Sequence, residues 1–189
     1  LMNNSATSII ILAAGNSSRL GLPKQLLRYK NKSFLRLIAE KALEIQPAEV
    51  IAVLGFESDR MQHELGDLPI RIVLNREWVE GIASSVRAGI NTVRSHADGA
   101  LIALCDQPAV TTELLSQLIF SCSHEKPIAA AEYNQILGVP ACFDRSIFPE
   151  LLLLQGDTGA KRVIAQDRAR VAAHPFPKAA IDIDTLEDY

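Results

Sequence analysis

The stretch SIIILAAGNSSRLGLPKQLL, Ser8 to Leu27, changes character abruptly partway along. A β-branched apolar run, IIILAA, gives way to small residues, then to two spaced cations, Arg19 and Lys24. The apolar run does not alternate with polar residues, as expected of a strand buried on both faces in a parallel sheet covered by helices. Ligands bind such sheets at the carboxyl ends of strands, where loops lead into helix N-termini. Ala13, Ala14 and Gly15 lack the bulk to hold an anion away from the backbone amides, which form an anion site there. Arg19 adds a planar fork suited to two phosphate oxygens and Lys24 a mobile point charge. The stretch therefore reads as a buried strand running into an anion-binding loop.

Outward from it, strand-like runs and helical periodicity alternate. SFLRLIAEKALEIQ places Phe34, Leu37, Ile38, Ala42 and Ile45 on one helical face, with Ser33 as N-cap. EVIAVLG and IRIVLN read as strands and SDRMQHELGDL as a short helix between them. SSVRAGINTVR reads as a helix opened by Gly81 and the serines. GALIALCDQPAV is the most apolar strand, followed by a threonine-capped helix in TTELLSQLIFSCS. After Lys126 the rhythm loosens: PIAAAEYN, VPACF, ARVAAHPF and IDID read as strands, with a helix after the glycines of GDTGAKRVIAQDR. This order predicts an α/β three-layer sandwich with a mostly parallel sheet and right-handed crossovers. No repeat, linker or composition break divides the chain, so residues 1–189 are expected to form a single domain.

Composition narrows the function. A net charge of -3 disfavours a nucleic-acid binder relying on a broad basic surface. No apolar run approaches the ~20 residues that span a bilayer, and LMNNSATS lacks the pattern of a secretory leader. Cys105, Cys122 and Cys142 sit in apolar surroundings without a CxxC, which reads as reduced core thiols of a cytoplasmic protein. The four histidines have no ligand-like spacing, so zinc is not expected. Neither GxGxxG nor GxxxxGK[ST] follows the first strand, and no Ser-His-Asp or Cys-His constellation stands out.

Several polar residues fall where strands should end. Asp106 directly follows ALIAL, and a buried carboxylate there needs a partner. Magnesium suits it, being hard, partial to carboxylate and water, and able to bridge to phosphate. Asn75 ends a strand where an amide could read a base or ribose edge. Asp182 and Asp184 share one face of a short strand by alternation. Gly156 and Gly159 flank Asp157 in what reads as a tight loop entering a helix.

These residues carry a family resemblance. LAAGNSSRLGLPKQLL resembles the LAAGxSxRxGxPK signature of nucleotidyltransferases related to molybdenum cofactor cytidylyltransferase, the MobA-like NTP transferase family. NREWVEGIASSVRAG resembles that family's NxxWxxGMxSSxxxG segment, with Ile82 where methionine is usual. CDQP, GVP, GDTGAK and DIDTLEDY resemble its later elements, with Leu186 in place of a usual proline. The resemblance spans nearly the whole chain and implies a nucleotide-diphospho-sugar transferase-like (Rossmann-like) fold. It implies a nucleotide held by Leu12, Ala13, Ala14, Gly15, Arg19, Lys24, Gly55, Asn75, Ser84 and Asp106. Arg19, Lys24 and Asp106 would carry catalysis, with Asp106 and Asp184 holding Mg²⁺. Gly138, Pro140, Gly156, Asp157 and Lys161 would contact an acceptor, so the first ~110 residues would bind nucleotide and the remainder the acceptor. LAAG and GDTGA point within the family to CTP and a molybdopterin acceptor. The product would be destined for a molybdenum hydroxylase, with that apoenzyme or its chaperone as a partner.

Rival readings use much of the same equipment. A cytidylyltransferase for a sugar or polyol phosphate would share the first half. A non-catalytic module that delivers cofactor would have less need of two magnesium carboxylates. A Rossmann-type oxidoreductase would need the glycine fingerprint and an acid ~20 residues beyond it.

Overall fold

The computed structural model describes residues 3–17 and 23–177. β1 (Thr7–Ala13) is buried along its whole length. The chain then makes a 3₁₀ turn at Lys24–Leu26 and a two-by-two antiparallel ribbon, β2 (Arg28–Tyr29) and β3 (Lys32–Ser33). α1 (Phe34–Glu44), β4 (Glu49–Leu54), α2 (Ser58–Leu65), β5 (Arg71–Leu74), α3 (Ile82–Thr92) and β6 (Gly99–Leu104) follow in strict alternation. Beyond them come α4 (Thr112–Ser121), β7 (Ile128–Tyr133), β8 (Ile136–Asp144), α5 (Phe148–Leu152), α6 (Lys161–Gln166) and β9 (Val171–Pro175). The caps expected at Ser33 and Thr111 are made: Ser33 Oγ accepts from the Arg36 amide at 3.1 Å and Thr111 Oγ1 from Leu114 at 3.2 Å.

One sheet runs in the order β5-β4-β1-β6-β8-β7-β9. β5, β4, β1 and β6 pair in parallel, while β8 is antiparallel to both β6 and β7. β9 returns parallel to β7. Successive residues of β1 serve opposite faces: Ile9, Ile11 and Ala13 join a core with α1, α2 and α4. Ile10 and Leu12 join a second core with α3, α5 and α6. Burying each isoleucine contributes about 1.5–3 kcal/mol, which exceeds the ~1–2 kcal/mol of backbone order lost per residue. This is the three-layer, mostly parallel architecture expected from the alternation.

The departures from expectation have local causes. The reversal at β8 comes from a two-residue link: Asn134 and Gln135 both have positive φ, 50° and 62°, and Tyr133 pairs with Ile136. Two residues can join antiparallel strands, whereas a parallel return needs a crossover of a dozen or more. α5 has no counterpart in the sequence pattern; Pro149 lies in its first turn, and its own Phe148 and Leu151 are buried. Asp182 and Asp184, with the expected closing strand IDID, lie outside the described residues, as do Arg19 and Gly21.

Gly89 interrupts α3 for a packing reason. A Cβ there would lie 2.6 Å from Ile10 Cγ2 and 3.3 Å from Val53 Cγ2, so α3 rests directly on β1 and β4. Gly89→Val is therefore expected to lower stability by about 1–3 kcal/mol through overpacking, read as a lower urea midpoint. An unchanged midpoint would mean that α3 does not pack this closely on the sheet.

Candidate active site

β1 and β6 are parallel neighbours, with Leu12 beside Leu104. From β1 the strand order proceeds to β4 and β5 on one side, and β6 opens the other. Such a reversal leaves a crevice beyond the carboxyl ends of the two strands. A cleft of about 520 Å³ lies there, walled by Leu12–Ser17, Lys24, Gln25, Leu104–Asp106, Trp78–Ile82, Ser85 and Asp157. The expected nucleotide residues Leu12, Ala13, Ala14, Gly15, Lys24 and Asp106 all border it, and so does Asp157 from the expected acceptor group.

The loop after β1 is held by Gln25, a residue to which the sequence pattern assigns no role. Gln25 is almost fully buried, and its Nε2 donates to Ala13 O at 3.1 Å and Gly15 O at 2.7 Å. The Lys24 amide donates to Ser17 Oγ at 3.0 Å, closing the loop from the other end. Gly15 is exposed, and a Cβ placed on it would meet nothing within 4 Å, so a bulky ligand has room beside its backbone. The sequence signal for Gln25 is weak: a polar residue between Lys24 and the apolar Leu26 and Leu27.

Across the cleft, Asp106 Oδ2 forms an ion pair with Lys24 Nζ. Asp106 is 8% exposed, and its Oδ1 is buried with no hydrogen-bond partner among the described residues. Each such unmet acceptor costs about 1–3 kcal/mol, so this oxygen is a natural place for a cation. The loop that follows Asp106 is braced by Lys41, whose Nζ donates to Pro108 O at 2.9 Å and Val110 O at 2.5 Å. Burial pushes the Cys105 thiol well above its ordinary range, with the Asp106 charge adding to the effect. Cys105 is thus a protonated core residue at neutral pH, as its surroundings in the sequence implied.

The turn before α3 forms the facing wall. Trp78 packs edge-to-face on Phe56 at 5.6 Å and also borders the cleft. Gly55 makes room for it: a Cβ there would come within 2.8 Å of Trp78 Cβ and of Ala14 O. Asn75 does not border the cleft. Its Nδ2 donates to Ser84 Oγ at 2.8 Å and Ser85 Oγ at 3.0 Å, and its Oδ1 accepts from the Glu77 amide at 2.9 Å. Ser84 Oγ in turn donates to Gly81 O at 2.8 Å. Asn75 and Ser84 therefore shape the turn from behind, and Ser85 is the serine that borders the cleft.

Of the remaining expected acceptor residues, Gly138 and Pro140 lie in β8, outside the cleft lining. Gln107 Nε2 reaches the intervening Val139 O at 3.3 Å. Lys161 is exposed at the start of α6, outside the cleft lining. Gly156 adopts a left-handed φ of 62° and packs against Gly81. Among the described residues no three His, Cys, Asp or Glu side chains gather as a metal site, and none of the described helices is long and apolar enough to cross a membrane.

A parallel sheet with a cation, a buried carboxylate and a small-residue loop at its switch point defines a nucleotide-transferase type of site. Residues 9–171 match the model of the MobA-like NTP transferase domain, and the chain belongs to that family. It is 31% identical over 168 residues to nicotine blue oxidoreductase of Paenarthrobacter nicotinovorans, covering 83% of this chain and 80% of that one. It is 23% identical to molybdenum cofactor cytidylyltransferase of Escherichia coli, covering 98% and 94%. The crystal structure of Rv0371c from Mycobacterium tuberculosis superposes with a TM-score of 0.85 at 30% identity, covering 99% and 97%. The Rv0371c protein has also been solved in complex with manganese, at a TM-score of 0.82 and 27% identity, covering 97% and 95%.

Replacing Gln25 tests the loop. Gln25→Leu removes the donor to two carbonyls and is expected to cost about 1–3 kcal/mol. Gln25→Glu should cost more, because an ionised carboxylate would face those carbonyls with nothing to donate. Chemical denaturation of both variants checks the order; equal stability of all three proteins would remove Gln25 as the staple.

Proposed function

We propose that the protein transfers CMP from CTP to a molybdopterin-type acceptor, releasing pyrophosphate. The observation that carries this reading is the Asp106–Lys24 pair at the β1–β6 switch point, with Asp106 Oδ1 unmet beside a small-residue loop. That oxygen fits a divalent cation, and Asp106 would hold Mg²⁺, joined by Asp184 from the C-terminal segment. Bound there, the ion would supply positive charge to the triphosphate. The amides after β1 would receive phosphate oxygens, and Arg19 and Lys24 would neutralise the charge that builds on the departing pyrophosphate. Lys24 would exchange Asp106 for phosphate as its partner.

In the reaction a phosphate oxygen of the acceptor forms a bond to the α-phosphorus in line. The bond from that phosphorus to the bridging oxygen breaks, and pyrophosphate leaves with the electron pair. An acceptor phosphate is already ionised at neutral pH, so positioning and charge neutralisation suffice and no strong base is required. The acceptor would approach from the Trp78–Gly81 and Asp157 side, so residues before about 110 would supply part of the acceptor wall as well as the nucleotide loop. The choice of CTP and molybdopterin is supported by the LAAG and GDTGA elements and by the likeness to molybdenum cofactor cytidylyltransferase. A cytoplasmic single-domain enzyme handing its product to a molybdenum hydroxylase or that hydroxylase's chaperone completes the reading.

A second reading, oxidoreduction, is favoured by one observation, the 31% identity to nicotine blue oxidoreductase. The assay that separates them follows pyrophosphate and nicotinamide-cofactor absorbance together, with Mg²⁺, molybdenum-loaded pterin and each of the four NTPs, and with NADH or NADPH plus nicotine blue as electron acceptor. Pyrophosphate with CTP is expected. Sugar or polyol phosphates replacing the pterin would point to the related cytidylyltransferases, and cofactor oxidation without pyrophosphate would overturn the transferase reading. Lys24→Ala and Asp106→Asn should each lower turnover by roughly 10²–10³-fold, and Asp106→Asn should also raise the Mg²⁺ concentration needed for half-maximal rate. An unchanged magnesium titration would place the metal elsewhere.

A further inference from the structure

The facing wall of the cleft contains a clamp that the proposed reaction does not by itself require. Glu80 lies at the cleft edge, and its carboxylate is engaged on the protein side. Oε1 accepts from Arg87 Nη1 at 3.0 Å and from the Gly156 amide at 3.3 Å, and Oε2 accepts from Arg87 Nη2 at 2.6 Å. The same Arg87 Nη1 donates to Leu154 O at 2.6 Å. From the other side, the Ala83 amide at the start of α3 donates to Gly156 O at 3.1 Å.

Backbone shape makes this contact specific. Gly81 has φ 122°, and a Cβ on it would fall 2.5 Å from Gly156 O and 2.7 Å from the Asp157 amide. The two strands of chain therefore touch through glycine on both sides, at conformations that other residues rarely adopt. Immediately beyond the contact, Asp157 is exposed and borders the cleft, the single residue beyond Asp106 to do so among the described residues. The opposite wall presents cation and amide donors suited to phosphate, whereas Asp157 is an acceptor suited to N–H or O–H groups.

We infer that Glu80 and Arg87 are positioning residues, clamping the Leu154–Gly156 turn so that Asp157 presents its carboxylate to hydrogen-bond donors on the acceptor substrate. The inference rests on the proposed transferase reading for the identity of that substrate, but the clamp itself does not. Pairing with Arg87, and then the Gly156 amide, holds the Glu80 carboxyl below its ordinary range. The ion pair is therefore complete above the ordinary glutamate value and is lost only as pH falls through the lowered one.

The test combines two readouts. In steady-state kinetics, Arg87→Ala and Glu80→Ala are expected to raise the acceptor KM roughly tenfold, since a displaced contact group loses about that factor or more. The nucleotide KM should stay within about twofold. Arg87→Lys should recover part of the loss. Asp157→Asn should match the alanine variants, and Arg87→Ala combined with Asp157→Asn should be no worse than either alone. Equal rises in both KM values, or additive losses in the double variant, would overturn the inference. The second readout is hydrogen exchange at the Gly156 amide, which needs no substrate. Faster exchange in Arg87→Ala and Glu80→Ala is expected, and unchanged exchange would show that the pair does not hold the turn. If no acceptor releases pyrophosphate with the wild-type protein, the transferase reading fails while exchange still decides the clamp.

Discussion

Two parallel strands, β1 and β6, end side by side at Leu12 and Leu104, and neighbouring strands are added outward from each. That requirement organises the protein. Because β1 is covered by helices on both faces, Ile9 to Leu12 are apolar in both directions. At the carboxyl end, small and polar residues follow where the strand leaves the core. The two exits lie beside one another, which brings a loop of small residues and Lys24 next to Asp106 although they are far apart in sequence. Coulomb attraction across such a crevice is weakly screened, so ligand-free Lys24 and Asp106 neutralise each other.

Parts of this arrangement were legible beforehand for identifiable reasons. IIILAA, EVIAVLG and GALIAL show no alternation because both of their faces are buried, and Ser33 and Thr111 cap helices through contacts only three residues long. Asp106 was visible because a carboxylate after so apolar a strand has few structural uses. What stayed hidden depended on contacts distant in sequence or on backbone conformation. Gln25 matters because it points back at the carbonyls of residues 13 and 15. Asn75 looked like a base reader by its place at a strand end, yet its amide is consumed by Ser84 and Ser85. The reversal of β8 hinged on the positive φ of Asn134 and Gln135, and glutamine gives little sign of that preference.

The two walls of the cleft differ in what they can recognise. The wall after β1 offers amides and Lys24, suited to phosphate, a group shared by every nucleotide-dependent reaction. The other wall, built from Trp78, Glu80, Gly81 and Asp157, combines an aromatic ring with the Asp157 carboxylate, and under the proposed reading a substrate's particular shape and donors would be read there. On the same reading, changes on the second wall would alter the partner molecule without disturbing the anion site.

The proposed reaction turns on Asp106 anchoring a divalent ion that meets a nucleoside triphosphate in this cleft. A crystal grown with Mn²⁺ and a non-hydrolysable CTP analogue, measured for anomalous scattering, tests it directly. A manganese peak is expected against Asp106 Oδ1, with phosphates along the backbone of residues 13–17 and Lys24 swung from Asp106 to a phosphate oxygen. A manganese ion away from Asp106, or a nucleotide bound with the Lys24–Asp106 pair still closed, would contradict it.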